Sequence, residues 1–511
     1  MEKRLPTLIS QLYHTAQLNP SRPALIFEDT SISYDSLTNA IKRLASGLAE
    51  LGIQKGDRVA ILLPNVPHFC ISYYAIIAAG GVAVPINFMH ERTELEHQLV
   101  DSGAKILIAW QLFLQQVLPA FQAAATCSEL LLLGDRISKD GISLTQLISR
   151  SAPLELDSSL SESDTAVINY TSGIADEAMG AELSHEAIVF NAATCIDMFN
   201  INPQEKVIAV LPLFHPLGQT FVMHASLTAA APVVIMPRFK PKEVIKTIQK
   251  NSVTFMPAVP GMFRAIMDID DPDIDVPSLK YCISYGGHLP DELLFEFENK
   301  FNVSILKAYG LTEAGPLVSA TRISRDQKVE SNGLPLMGVE VQIRDSSGHI
   351  LQPNQSGEIF VKSPSLMKGY YGHQQETDRR LQAGWLATGD IGYLDLDHYL
   401  FIQERKDDII SKGGFAIHPR EVERIILDHP AVNEVAVVSV PDSMHGSEVK
   451  AFVVLTPGST LSDKELFEYC QNFLPIYKCP RYMEQIASLP KSPTGRILKR
   501  LLRQTTSGKK M

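Results

Sequence analysis

The sequence predicts an α/β multidomain protein: a large N-terminal body of layered α/β subdomains with a small β-rich subdomain, then a C-terminal α+β domain. Three observations predict it. At 511 residues the chain exceeds what one compact core organises, so two or three domains are expected. Short runs that are apolar at nearly every position alternate with amphipathic helical patterns as far as about Gly333. After Arg405 the pattern changes to a separate set of helices and strands.

Taken in order, Arg58–Leu63, Lys105–Ala109, Glu129–Leu133 and Pro232–Met236 read as strands covered on both faces, the habit of parallel sheets. Thr165–Asn169 and Val303–Lys307 read as two more. Lys242–Lys250 reads as an amphipathic helix between such strands, which makes the body layered. Glycine turns and alternation in Val339–Asp345, Gly357–Lys362 and Tyr399–Glu404 predict the β-rich subdomain at about 333–403. His418-Pro419 opens a helix with proline at its first position, and Pro430 ends it. Val435–Val440 is a strand. Ser462-Asp463-Lys464-Glu465 is a capping box ahead of Leu466, Cys470 and Phe473, which share one helix face. The predicted domains are 1–404 and 405–511.

Hydrophobic residues make up 45% and charged residues 20%, ordinary for a globular enzyme. A net charge of −11 argues against non-specific nucleic-acid binding, which needs clustered cations. Cys70, Cys127, Cys195, Cys282, Cys470 and Cys479 form no C-x-x-C pair and sit mostly among apolar neighbours, so buried free thiols are expected. Met1-Glu2-Lys3-Arg4 opens no signal-like apolar core. The longest apolar stretch, Tyr73–Ile86, is broken by Gly80-Gly81 and Pro85 and falls short of the about 20 residues that span a bilayer. A cytoplasmic protein is expected.

Five segments carry the chemistry. Tyr170–Ala181 follows a strand, and its Thr171-Ser172-Gly173 opening suits wrapping of phosphate oxygens by backbone N–H groups and hydroxyls. No Gly-Lys-Ser/Thr follows, so it is not a Walker A loop. Ala308-Tyr309-Gly310-Leu311-Thr312-Glu313 closes a strand. Gly384–Asp390 is followed by Arg405. Arg405–Glu423 contains Asp407 and the pair Gly413-Gly414, and glycine admits close approach of a ligand to the backbone. Leu489–Arg503 is basic and contains Arg496. Two lesser features are Leu211–His215 and Tyr281–Gly287, the latter with Gly286 and Gly287.

In order and spacing, over essentially all of the chain, these segments resemble the adenylate-forming superfamily of acyl-CoA and aryl-CoA synthetases, luciferases and peptide-synthetase adenylation domains, with bacterial fatty-acyl-CoA ligases the nearest group. The resemblance implies that Tyr309 packs on adenine beside Gly286 and Gly287. It implies that Thr171, Ser172 and Gly173 hold phosphate, that Thr312 binds the α-phosphate, and that Glu313 helps hold Mg²⁺. Asp390 would accept both ribose hydroxyls with its two oxygens, and Arg405 would fix the same sugar. Asp407 is the implied hinge of a mobile C-terminal domain, and Gly413 and Gly414 line the implied CoA channel. His215 would lie near the substrate carboxylate. No aspartate follows Phe214, where amino-acid-activating members carry one. The implied reaction joins a fatty or aryl acid to CoA with ATP and Mg²⁺; a homodimer is compatible with it.

Two positions depart from the family pattern. Met179 stands where the phosphate loop has lysine, beside Asp176 and Glu177, and Arg496 stands where the C-terminal catalytic lysine is expected. Like charges about 4 Å apart interact by about 4 kcal/mol at an effective dielectric of about 20, so an acidic loop handicaps triphosphate binding. Arginine keeps the charge with a bulkier planar head. Lys491 and Lys499 flank it and are candidates for partial substitution. A catalytically impaired paralogue that binds nucleotide or acyl-CoA is the alternative, and carrier-protein loading stays open. Asp35-Ser36-Leu37 matches a phosphopantetheine attachment dipeptide but reads better as the opening of the helix Leu37–Leu48.

Overall fold

The computed structural model of the chain describes residues 6–134, 141–154, 160–171, 178–271, 274–323, 328–412, 415–442, 446–492, 495 and 497–504. It divides into two compact units, Met1–Val341 with Val361–Leu386 and Gln342–Phe360 with Ala387–Met511.

The larger unit is layered α/β. One sheet runs Leu334–Pro335, Leu317–Ala320, Ser304–Gly310, Tyr281–Ser284, Phe255–Ala258, Val207–Ala209, Val233–Ile235, Pro23–Phe27 and Thr30–Ser33. It is parallel from Ser304–Gly310 to Pro23–Phe27 and antiparallel towards both edges. A second sheet runs Gly369–Tyr370, Gly180–Ser184, Thr165–Tyr170, Val82–Pro85, Arg58–Leu62, Ile106–Trp110, Glu129–Leu133 and Ile142–Ser143. The four strands expected from apolar runs agree to within a residue at each end. Helices Pro241–Asn251, Pro260–Met267 and Asp291–Phe301 bury Val244, Ile248, Phe263 and Phe297 against Ile208, Met256, Cys282 and Ile305 of the first sheet. Burial of each such side chain stabilises the layer by about 1.5–3 kcal/mol.

The smaller unit contains a three-stranded sheet, Val432–Asp442, Gly446–Leu455 and Tyr482–Gln485. Pro419 is the first residue of the helix Pro419–Leu427, whose Val422 and Ile426 pack with Val435 and Val437. The capping box is formed: Glu465 N–H donates to Ser462 Oγ at 3.2 Å, and Ser462 N–H to Glu465 Oε2 at 2.8 Å. Leu466 and Cys470 are buried, but Phe473 is not part of that face. The helix ends at Gln471, and Phe473 lies beyond it, 59% exposed.

The dipeptide Asp35-Ser36 falls in the first turn of the helix Tyr34–Glu50, whose N-cap Ser33 Oγ accepts from Ser36 N–H at 3.2 Å. The six cysteines are free and buried. Among the described residues no helix is long and apolar enough to cross a membrane.

Where a parallel strand ends, the loop that leaves it loses its ladder partners. Asn65, 4% exposed, repairs one such place just past Arg58–Leu62. Its Nδ2 donates to Ala209 O at 3.0 Å and Leu211 O at 2.8 Å, and its Oδ1 accepts from Leu213 N–H at 2.8 Å. Asn65→Ala would leave the Leu211 carbonyl and the Leu213 N–H without this partner, while Ala209 O keeps Met236 N–H at 3.4 Å. We expect a loss of about 2–4 kcal/mol, read as a lower denaturant midpoint for this unit at unchanged slope. An unchanged midpoint would contradict this role.

Candidate active site

In open α/β sheets ligands bind outside the carboxyl ends of the strands. The larger unit's first sheet brings several expected residues to that edge. Val207–Ala209 leads into His215, Tyr281–Ser284 into Tyr285, Gly286 and Gly287, and Ser304–Gly310 carries Tyr309 and leads into Thr312. The last two strands and Phe255–Ala258 end in register, with Ala258 beside Ser284 and Ser284 beside Lys307. Gly286 has φ +83°, which an L side chain rarely adopts. Ser284 Oγ is buried with no partner among the described residues.

His215 is partly buried, and its ring meets the Tyr285 ring edge-on, centroids 6.0 Å apart. Burial pulls its pKa from 6.5 down to about 4. Leu217 N–H donates to Nδ1 at 3.3 Å, so the neutral ring carries its proton on Nε2 and can donate from there.

Thr312 and Glu313 sit in the short 3₁₀ turn Thr312–Ala314. Glu313 is 4% exposed; its Oε1 accepts from the Tyr370 hydroxyl at 2.8 Å and its backbone carbonyl from Met367 N–H at 2.9 Å. Burial, then the Glu313 charge, push the Tyr370 pKa well up, so this hydroxyl stays a donor. The turn is closed by Leu311 N–H to Pro316 O at 2.9 Å and by Ser365 Oγ to Ala314 O at 2.7 Å. A Cβ on Gly310 would overlap Pro316 O, so the turn requires glycine there.

Thr171 is buried, its N–H donates to Met179 O at 2.9 Å, and its hydroxyl has no partner among the described residues. An orphaned hydroxyl at a strand's carboxyl end is what an incoming phosphate oxygen would satisfy. Met179 is 3% exposed. Tyr371 N–H donates to Gly180 O at 2.8 Å, so the segment that supplies Tyr370 to Glu313 also borders the loop's exit. Ser172, Gly173, Asp176 and Glu177 lie outside the described residues.

In the smaller unit Asp390, 8% exposed, pairs with Arg405 through Nε–Oδ1 at 2.9 Å, the two standing opposite each other on paired strands. Asp407 is exposed in the turn Lys406–Asp408, and its carbonyl accepts from Arg503 Nη2 at 3.1 Å. Lys491 and Lys499 are each ion-paired at 2.7 Å, to Glu434 and Glu423. Gly413, Gly414 and Arg496 lie outside the described residues.

Sequence reasoning missed the residues that hold these loops. Asn191 Nδ2 donates to Leu317 O at 2.8 Å just after the Thr312 turn. Asn65, Asn169, Asn191, Gln219 and Tyr370 are all under 9% exposed. The available signal was a lone amide inside an apolar run, as in Ala166–Tyr170 or Ala187–Ala192.

Residues 12–371 match the model of the AMP-binding enzyme family, and residues 421–496 that of the AMP-binding enzyme C-terminal domain. The chain belongs to the AMP-binding enzyme family. It is an AMP-forming acid–thiol ligase by class. A long-chain-fatty-acid–CoA ligase of Bacillus subtilis (strain 168) is 34% identical, over 97% of this chain and 94% of that one. A feruloyl-CoA synthase of an Amycolatopsis species is 32% identical, over 95% and 96%. The solved o-succinylbenzoate CoA synthetase of Bacillus subtilis, in complex with its acyl-adenylate intermediate, superposes with a TM-score of 0.87 at 30% identity, covering 98% of each chain.

The partly buried His215 of this AMP-binding enzyme has a pH signature. Unfolded, the imidazole binds a proton below about 6.5; folded, it does so only below about 4. Its contribution is therefore complete above pH 6.5 and is lost as pH falls towards 4. His215→Gln should lower the slope of stability against pH in that window by up to one proton, about 1.4 kcal/mol per pH unit, measured by denaturant titration. An identical slope would show that the ring is not held neutral.

Proposed function

We propose that the chain activates a fatty or aryl carboxylic acid as an acyl-adenylate and passes the acyl group to CoA. The acid's carboxylate attacks the α-phosphorus of ATP, pyrophosphate leaves, and the CoA thiolate then displaces AMP. Activation is needed because a carboxylate oxygen is a poor leaving group and AMP a good one. Thr312 and the orphaned Thr171 hydroxyl contact phosphate oxygens, Tyr309, Gly286 and Gly287 frame the base, and Asp390 with Arg405 holds the ribose. Arg496 is the C-terminal cation that meets the developing charge. Asp407 is the hinge, at the boundary between 1–404 and 405–511, and Gly413 and Gly414 pass the pantetheine arm.

Mg²⁺ would neutralise phosphate charge. Among the described residues no group of three or more His, Cys, Asp and Glu is placed to hold a metal. Glu313 fits a shared site: Tyr370 occupies Oε1, and the ion would draw its other ligands from phosphate and water.

The observation that carries the substrate class is the wall around His215. Phe214 meets Phe88 edge-on at 5.7 Å, and Phe88 stacks on Phe113 at 5.6 Å. With a neutral imidazole and no carboxylate following Phe214, this wall suits an apolar acid and offers nothing to an α-ammonium group. The fatty-acid and feruloyl ligases among the relatives support the same class.

A second reading has its own support. Met179 is buried where a phosphate-binding lysine would stand, and Lys491 and Lys499 are engaged by glutamates. In that reading the protein binds nucleotide or acyl-CoA and adenylates slowly.

Acid-dependent ATP–pyrophosphate exchange across a panel of fatty, aryl and amino acids separates the two. We expect weak exchange with fatty or aryl acids and none with amino acids. Arg496→Lys should increase it, as should Met179→Lys, whose long stem lets a buried position reach outward. Nucleotide binding without exchange for any acid would favour the impaired reading, and no gain from either variant would refute the account of both positions.

A further inference from the structure

The segment after the His215 wall is a π-helix, Gly218–Ala225. Such stretches are rare and gather at functional sites. Here two consecutive residues of it reach two different segments of the candidate site. Gln219, 1% exposed, donates through Nε2 to Asn169 Oδ1 at 2.9 Å and to Phe214 O at 2.9 Å. Asn169, 2% exposed, donates back from Nδ2 to Gln219 Oε1 at 3.3 Å. Thr220 Oγ1 donates to Gly315 O at 3.5 Å, behind the turn of Thr312 and Glu313. Gln219 N–H also donates to His215 O at 3.0 Å.

Asn169 lies on the strand Thr165–Tyr170, whose next residue is Thr171. One side chain therefore grips the backbone of the acid-side wall, which follows a strand of the first sheet, and the strand that leads into Thr171, which belongs to the second. An apolar contact would fill the same space but slide. A reciprocal amide pair matches a donor and an acceptor at each end and tolerates no sliding without leaving buried polar atoms unpaired.

We infer that Gln219 is a positioning residue for adenylation: through Asn169 it registers the phosphate-loop strand against the acid-side wall, so that carboxylate and α-phosphate meet at bonding range. This rests on the acyl-adenylate reading above. Phosphates of ATP beyond the first are present only before pyrophosphate leaves, so the effect belongs to the first half-reaction.

The test measures both half-reactions in the full chain: pyrophosphate exchange, and thioester formation from CoA and a supplied synthetic acyl-adenylate. Gln219→Met, which keeps length and loses the pair, should slow exchange by roughly 10–100-fold, the order expected from slight misplacement of reacting atoms. Thioester formation should stay within about threefold, and adding Asn169→Ser should cost little more, because both changes break one pair. Exchange that is intact in Gln219→Met overturns the inference alone. Absence of exchange in the natural chain with every acid removes the adenylation reading and this inference together. If Gln219→Met loses both half-reactions equally, the milder Asn169→Ser decides: selective loss of exchange upholds the inference, and equal losses overturn it.

Discussion

The candidate site depends on one constraint: backbone groups that leave a parallel sheet at its carboxyl edge must find partners without water. In the sheet interior the ladder provides them. At the edge, where the chain turns into loops, buried amide side chains provide them instead. Asn65 serves the segment before His215, Asn191 the segment after Thr312, and Gln219 with Asn169 the strand that leads into Thr171. Each amide offers both a donor and an acceptor, so it can mimic a missing strand. An unpaired buried peptide group is costly, so these pairings favour the observed loop arrangement.

The same economy governs charge. Glu313 is buried, and its Oε1 accepts a tyrosine hydroxyl. Three cations of the smaller unit are matched: Arg405 by Asp390, Lys491 by Glu434, Lys499 by Glu423. A side chain held in a good ion pair must abandon its partner before it can meet a new anion.

Much of this was legible in the amino-acid order, for physical reasons. Strands such as Glu129–Leu133 declare themselves because burial on both faces demands apolar residues at every position. The capping box at Ser462 reads directly because its partners are three residues apart. Tyr309, Thr312 and Glu313 stood out by motif, and three of the first sheet's strands do carry them, Gly286 and His215 to one edge. What could not be read was long-range: Tyr370 meets Glu313 across 57 positions and Gln219 meets Asn169 across 50, and nothing local marks such pairs. Phe473 misled because periodicity does not say where a helix stops, and Gln471 is where it does. That Met179 is buried was likewise invisible, since methionine suits surface loops and interiors alike.

The six cysteines acquire a meaning from the chemistry around them. An acyl-adenylate is a mixed anhydride that any sulfur anion nearby would capture, and a protein that made one beside its own reactive thiolate would label itself. Burial pushes the thiols of Cys70, Cys127 and Cys470 up to about 12 and raises those of Cys195, Cys282 and Cys479 as well. At neutral pH almost none of this sulfur is ionised, and all of it is walled off from solvent. The one competent sulfur nucleophile is then the one that arrives with the substrate, and self-acylation has nowhere to begin.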